Sequence, residues 1–292
     1  MIHPQLQQLI NLSIVLLLGK YVAHVYLSWI TILFILFFTL SVEYLMIYLK
    51  EKQFIFFSFS SLSTAIGVML MLVTPHIWII MVIIILGLVQ KHFLQWEQHH
   101  FFNPSNFALM MGLLFFYSDA HIVLGQLGDE PWLIGLVILL GISILFRVDR
   151  WIIPLVFSIS YLLLQYLFIV SSDPVLIMEE IFYRFYSVSF FVFILFMLTD
   201  PKTTPQKYWQ QIFFSIFIAL EATWLDHYYG FRVQHLFMSL FILSIFVPIL
   251  TVEKEENTKR QLFIVTAILL LLVLSAIIYI EIQPPYYFEM DG

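Results

Sequence analysis

The residues best placed to do chemistry are few, because Asp, Glu, Lys and Arg together make up only 11% of the 292 residues. Three short segments concentrate the polar groups that could hold a ligand. HHFFNPSN, residues 99–106, places Asn103 directly before Pro104 and an apolar run. Proline fits the first turn of a helix and asparagine caps it, so free amide N–H groups are presented where a ligand edge can meet them. FMLTDPKTTP, residues 196–205, ends an apolar run on Thr199-Asp200-Pro201. Pro201 disfavours helical geometry at Asp200 and lacks an N–H, so the chain is expected to leave the helix there. The Asp200 carboxylate can then accept from Thr203 or Thr204, pair with Lys202, or orient a cofactor ring; plain capping of the turn is the bland alternative. FFSFSSLSTAIG, residues 56–67, strings hydroxyls through a membrane-like run. Ser63 and Thr64 serve either a helix-packing face or a broken helix that lines a cavity. The candidate binding residues are therefore Ser63, Thr64, Asn103, Asn106, Thr199, Asp200 and Thr203.

Glu221 stands apart. It falls about one turn inside an apolar segment and is expected to be the most buried carboxylate. A charge in hydrocarbon costs roughly 2.5–3.5 kcal/mol, so Glu221 should be protonated, paired, or part of an ion path. The nine histidines raise haem. Bis-histidine ligation needs two imidazoles facing each other from separate helices, whereas most of these lie in loops or at interfaces. No metal site and no catalytic residue is assigned. The absence of cysteine excludes disulfides, thiolate chemistry and cysteine-ligated clusters.

The elements that must position these groups are membrane helices. Hydrophobic residues make up 62% of the chain and the mean hydropathy is +0.96. A water-soluble fold of this length cannot hide that much apolar surface, and a lipid bilayer as solvent removes the difficulty. A net charge of −6 argues against nucleic acid as a partner. The first apolar run lacks a basic flank and reads as the first membrane helix rather than a signal peptide. Helices are expected over residues 7–23, 27–48, 56–75, 77–92, 104–117, 131–146, 151–170, 186–199, 208–225, 233–250 and 262–281. The fold class is all-α, a polytopic membrane protein of about 10–11 transmembrane helices. If the N-terminus lies on one side, ten of the 13 Lys and Arg residues share that side. The positive-inside rule makes it cytoplasmic, in a multi-pass protein of the cell's inner membrane.

Four pieces in order carry a resemblance: SLSTAIGVMLML at 61–72, FFNPSNFAL at 101–109, GQLGDE at 125–130 and FMLTDPKTTP at 196–205, followed by two closing helices at 221–250. Together they resemble the membrane-subunit family shared by the sodium-translocating NADH:quinone oxidoreductase and the Rnf electron-transport complex, best over residues 50–250. The resemblance implies one membrane domain over 1–250, in two inverted halves with broken helices, helices three and eight being repeat partners. Residues 251–292 add a loop, an extra transmembrane helix and an acidic tail. It implies an electron-transfer subunit working with other membrane or redox subunits, with flavin and ion movement. The family's S-G-A-T flavin attachment motif should fall within 171–187, where SSDPVLIMEEIFYRFYS has neither threonine nor glycine. Covalent FMN is therefore not expected, with Ser171, Ser172 and Ser187 as poor substitutes. FMN or riboflavin held without a bond stays compatible, since aromatic walls and helix N-termini can hold ring and phosphate. Two other functions share the scaffold: a channel or transporter for a small molecule or ion, and a structural membrane partner of another protein.

Overall fold

The computed structural model describes residues 3–23, 25–52, 58–96, 99–170, 183–251 and 256–283. The expectations for Ser171, Ser172 and the acidic tail from residue 284 lie outside the described residues.

The chain runs α1 (Pro4–Val22), α2 (Trp29–Glu51), α3 (Phe59–Met71), β1 (Leu72–Val73), α4 (Ile77–Phe93), β2 (Gln95–Trp96), β3 (His99–His100), α5 (Pro104–Phe115) and β4 (His121–Ile122). A 3-10 turn at Leu124–Leu127 leads to α6 (Pro131–Val148) and α7 (Ile152–Gln165), which a π-helical stretch extends over Tyr166–Val170. After a second 3-10 turn, Arg184–Tyr186, come α8 (Val188–Val192) with its π-helical continuation Phe193–Met197, α9 (Tyr208–Tyr229), α10 (Gln234–Ser244), α11 (Val247–Thr251) and α12 (Glu256–Glu281). Each expected helix has a counterpart, but the one expected over 233–250 is interrupted between α10 and α11, and the one expected from 262 already begins at Glu256.

Long helices surround short ones. By length and composition, α2, α6 and residues 258–281 of α12 can cross a membrane. On α2 only Ile32, Ile35, Thr39, Glu43 and Ile47 are buried, a single stripe at three- and four-residue spacing. Its remaining faces expose Ile30, Leu33 and Phe37, as α12 exposes Phe263, Leu271 and Leu272. Apolar surface on this scale faces lipid. By contrast α3 is buried at every position from Ser61 to Met71. At 13 residues it spans about 20 Å, short of the roughly 30 Å hydrocarbon core. Helices α5, α8 and α10 are similarly short and largely buried.

Ends of short helices leave polar backbone at membrane depth, and here other protein segments satisfy it. Beyond α3, Leu72–Val73 pairs antiparallel with His121–Ile122, and Val123 N–H donates to the Met71 carbonyl. Gly128 adopts φ +73°, open to glycine without strain, and its carbonyl accepts from Val188 N–H at the start of α8. The GQLGDE segment thus joins the end of α3 to the beginning of α8. Helix α3 packs on α1, α2 and α5, and α8 on α6; α7 and α9 form a long pair, with α10 against α9, α5 and α12.

Candidate functional site

The three polar segments meet around a cavity of about 360 Å³. Its walls come from the start of α1, the first turns of α3, the turn before α5, the last turn of α6, and the end of α8 with its TDPK turn. Leu12, Ile144, Leu145, Val192, Leu195 and Phe196 supply the apolar wall. The polar lining includes Ser63, Thr64, His100, Asn103, Thr199, Asp200 and Lys202.

Asn103 holds the centre. Its side-chain oxygen accepts from Ser105 N–H at 3.0 Å and Asn106 N–H at 3.2 Å, capping α5. Its Nδ2 donates to Asp200 Oδ2 at 3.2 Å, 97 residues along the chain. Asp200 Oδ1 accepts from the backbone N–H of Lys202 at 3.0 Å, and its carbonyl accepts from Thr204 Oγ1 at 2.8 Å. Arg150 Nε donates to Thr204 Oγ1 at 2.8 Å, which ties the turn to the end of α6. Ser105 Oγ donates to the Thr64 carbonyl at 3.3 Å, beside Gly67, where an added Cβ would come within 2.8 Å of Ser105 Oγ.

Burial raises the Asp200 carboxyl above the ordinary carboxylate range; the Lys202 N–H and the cations Lys202, Arg150 and Lys91 act in the other direction. Burial likewise pushes the His100 imidazole down to about 3, helped by the nearby positive Lys202 and Lys91. His100 is therefore neutral at physiological pH. The Lys91 carbonyl hydrogen-bonds its ring, and Nδ1 has no partner among the described residues. Lys202 is exposed at the mouth. The cavity thus offers acceptors at His100 and Asp200, a cation at its entrance and flat apolar walls. Those features suit a planar heterocycle with a polar edge, and the volume lies within the roughly 300–1,000 Å³ usual for small-ligand pockets.

Five of the seven candidate residues line this space: Ser63, Thr64, Asn103, Thr199 and Asp200. The hydroxyls of Ser63, Thr64 and Thr199 donate to carbonyls four residues earlier, leaving their lone pairs for a ligand. Asn106 and Thr203 stand behind the wall. Asn106 Nδ2 donates to the Phe237 carbonyl at 3.1 Å, and Thr203 N–H to the Asp200 carbonyl at 3.1 Å. The contributions of Gln5 and Gln8 on α1, and of His100 in the β2–β3 hairpin, carry no signal in the sequence beyond being polar near an interface.

Glu221 is not at this site, and the expectation that it is the most buried carboxylate is corrected. It is half-buried on α9, while Glu43, Asp226 and Glu281 are 3%, 3% and 5% exposed. Helix position sets depth in the bilayer, but the rotational position of a residue sets burial, and Asp226 faces the bundle. Glu221 Oε2 is nevertheless buried, with no hydrogen-bond partner among the described residues. Glu43 pairs with Lys91 at 2.6 Å and His92 at 2.9 Å. Among the described residues no group of three His, Asp or Glu side chains is arranged to hold a metal ion.

A second polar cluster lies at the other end of α9, 18 residues from Tyr208 and so about 27 Å along the helix. Asp226 accepts there from Arg184 Nη1 at 3.0 Å, Gln165 at 2.8 Å, Tyr161 at 3.2 Å and the Arg232 N–H at 3.2 Å, with His235 Nδ1 at 2.7 Å. Glu281 of α12 contacts Arg232 at 3.1 Å and Gln234 at 2.8 Å.

A model of the NQR2, RnfD, RnfE family matches residues 117–259. The matched stretch contains the GQLGDE turn, the TDPKTTP turn, α9 and α10. It leaves out Ser63, Thr64, Asn103 and Asn106. No curated protein matches the chain.

Proposed function

From the premise that the chain belongs to the NQR2, RnfD, RnfE family, a family of membrane subunits of redox complexes, we propose that it is an electron-transfer subunit that binds a flavin, without a covalent link, in the cavity around Asn103 and Asp200. The observation that carries this reading is the convergence of α3, the α5 cap and the α8 turn on one apolar-walled space with a polar edge. Thr199, Asp200 and His100 would face the ring edge, Phe196 and Leu195 its plane, and Lys202 a phosphate at the mouth. A flavin held there supplies one- and two-electron chemistry. The protein's own part is to orient the ring, keep water from it, and set its electronics through a carboxylate and a neutral imidazole. A serine linkage at Ser187 is disfavoured, since that hydroxyl is buried and donates to the Leu124 carbonyl.

The reading extends to ion movement, with the unpartnered carboxyl of Glu221 on its path, and to the inner membrane, with the cavity end cytoplasmic. That end gathers Lys91, Arg150 and Lys202 around one site, as the positive-inside rule requires.

Flavin stoichiometry of the detergent-purified protein, measured beside D200N, is the test. D200N keeps size and turn geometry but removes the charge. Membrane yield should stay near wild type while flavin occupancy falls 5- to 150-fold, on the order of 1–3 kcal/mol. A colourless wild-type protein would remove the flavin and leave the cavity to a small solute on the same scaffold.

A further inference from the structure

The cluster at the far end of the bundle is built around an unresolved proton. Asp226 already accepts from Arg184, Gln165, Tyr161 and the Arg232 N–H. A carboxylate so saturated with donors is ionised, so the proton in its 2.7 Å contact with His235 belongs to Nδ1. The other ring nitrogen faces Glu281. Nε2 lies 3.4 Å from Glu281 Oε1, both side chains are 0% exposed, and Nε2 makes no hydrogen bond among the described residues. Without a further proton, two lone pairs oppose each other in a dry interior. With one, they make a charge-assisted contact.

We propose that His235 and Glu281 together form a proton-exchange site, in which one proton from the aqueous phase binds between Nε2 and Oε1 and is released again.

The charge balance explains why such a proton would be exchangeable rather than fixed. Arg184 and Arg232 offset Asp226 and Glu281, so the cluster is neutral without the extra proton and carries one positive charge with it. Burial opposes that charge, while two carboxylates, one on each ring nitrogen, favour it. The other titratable groups at hand are Tyr161 on α7 and Tyr117 beyond α5, the latter bonded to Gln234. Both are phenols and hold their protons at neutral pH. Arg232, whose side chain is 22% exposed and touches Glu281 directly, links the cluster to the protein surface. Ionisable groups inside membrane proteins are costly, pair with one another, and are where proton and ion routes are found. Glu281 sits on α12 beyond residue 259, where the family match ends.

The test uses the purified full chain. Infrared difference spectra between alkaline and acid buffers, in water and in deuterium oxide, should show a deuterium-sensitive carboxyl or imidazolium band that is absent from both E281Q and H235Q. Proton uptake followed with an indicator dye should be one proton per chain lower in E281Q than in wild type. In E281Q the amide can accept from Arg232 and donate to Nε2 once the Gln234 amide, which donates to Oε1, turns over; membrane yield and thermal inactivation near wild type show that α12 stays docked, and if H235Q fails to accumulate, E281Q decides alone. An unchanged band and unchanged uptake in E281Q overturn the site. No flavin or partner protein enters the measurement, so that failure would leave the electron-transfer reading untouched.

Discussion

Asp200 and Asp226 occupy opposite ends of the bundle, and the fold treats them differently. Asp200 takes one side-chain hydrogen bond, from Asn103, and one from its own turn, and borders an open cavity. Asp226 is enclosed by two cationic or imidazole partners, an amide and a phenol. A polar group left with spare bonding capacity beside empty space suits a ligand, whereas a saturated one holds the fold together. The lesson is that burial alone does not mark a functional acid in a membrane; the observation to look for is unused hydrogen-bonding capacity, which Asp200 keeps beside the cavity and His235 Nε2, not Asp226, keeps at the far end.

The comparison can be broken most directly at Asp226. D226A would leave Arg184 buried and unpaired, a loss of about 3–5 kcal/mol. Membrane yield and thermal inactivation should collapse relative to D200A; equal behaviour of the two alanine variants would erase the distinction between the ends. A smaller effect is expected at Gly67, where α3 approaches α5. G67A places a methyl 2.8 Å from Ser105 Oγ and 3.2 Å from the methyl of Met197. Overpacking of this kind costs about 1–3 kcal/mol. Because Ser105 must turn from the Thr64 carbonyl, ligand content should fall more than thermal stability does, and the reverse order would place Gly67 in the fold rather than the site.

The smallest effect is a pH dependence. The folded His100 titrates at about 3, below the usual value of 6.5. Between those values the unfolded chain binds more protons than the native one, so stability is lost as pH falls from 6.5 towards 3. At pH 5 the loss is no more than about 2 kcal/mol. H100N should flatten the acid limb of a plot of inactivation temperature against pH; an identical limb would show that His100 does not sit in the dry wall of the cavity.

The cavity end was legible because its parts announce themselves locally. Asn103-Pro104 and Asp200-Pro201 break apolar runs at points where a backbone must change course, so two turn residues and two prolines suffice to find them. Asn103 caps α5 as its place before Pro104 suggests, whereas Ser28 and Ser58, which cap α2 and α3, lie just inside the helices expected from 27 and 56. The far cluster was not. Arg184 and Asp226 are 42 residues apart and Arg232 and Glu281 are 49 apart, each on its own segment. Nothing within a short window distinguishes a carboxylate that will find an arginine from one that will not. Glu221 and Asp226 are separated by five residues on α9, yet only the second turns towards α7 and α10. Pairing across helices is decided by rotation and docking, and periodicity in so uniformly apolar a helix carries little of that information.

The position of Glu281 has a consequence for how the protein is made. Chains emerge from the ribosome N-terminus first. Arg184 and Asp226 can neutralise each other as soon as α9 enters the bilayer. Arg232 has its carboxylate only when the final turn of α12 arrives. Until then Arg232 lacks the carboxylate that it meets in the folded protein. Docking of α12 therefore changes the charge balance at that end of the growing protein, because it brings Glu281 to Arg232.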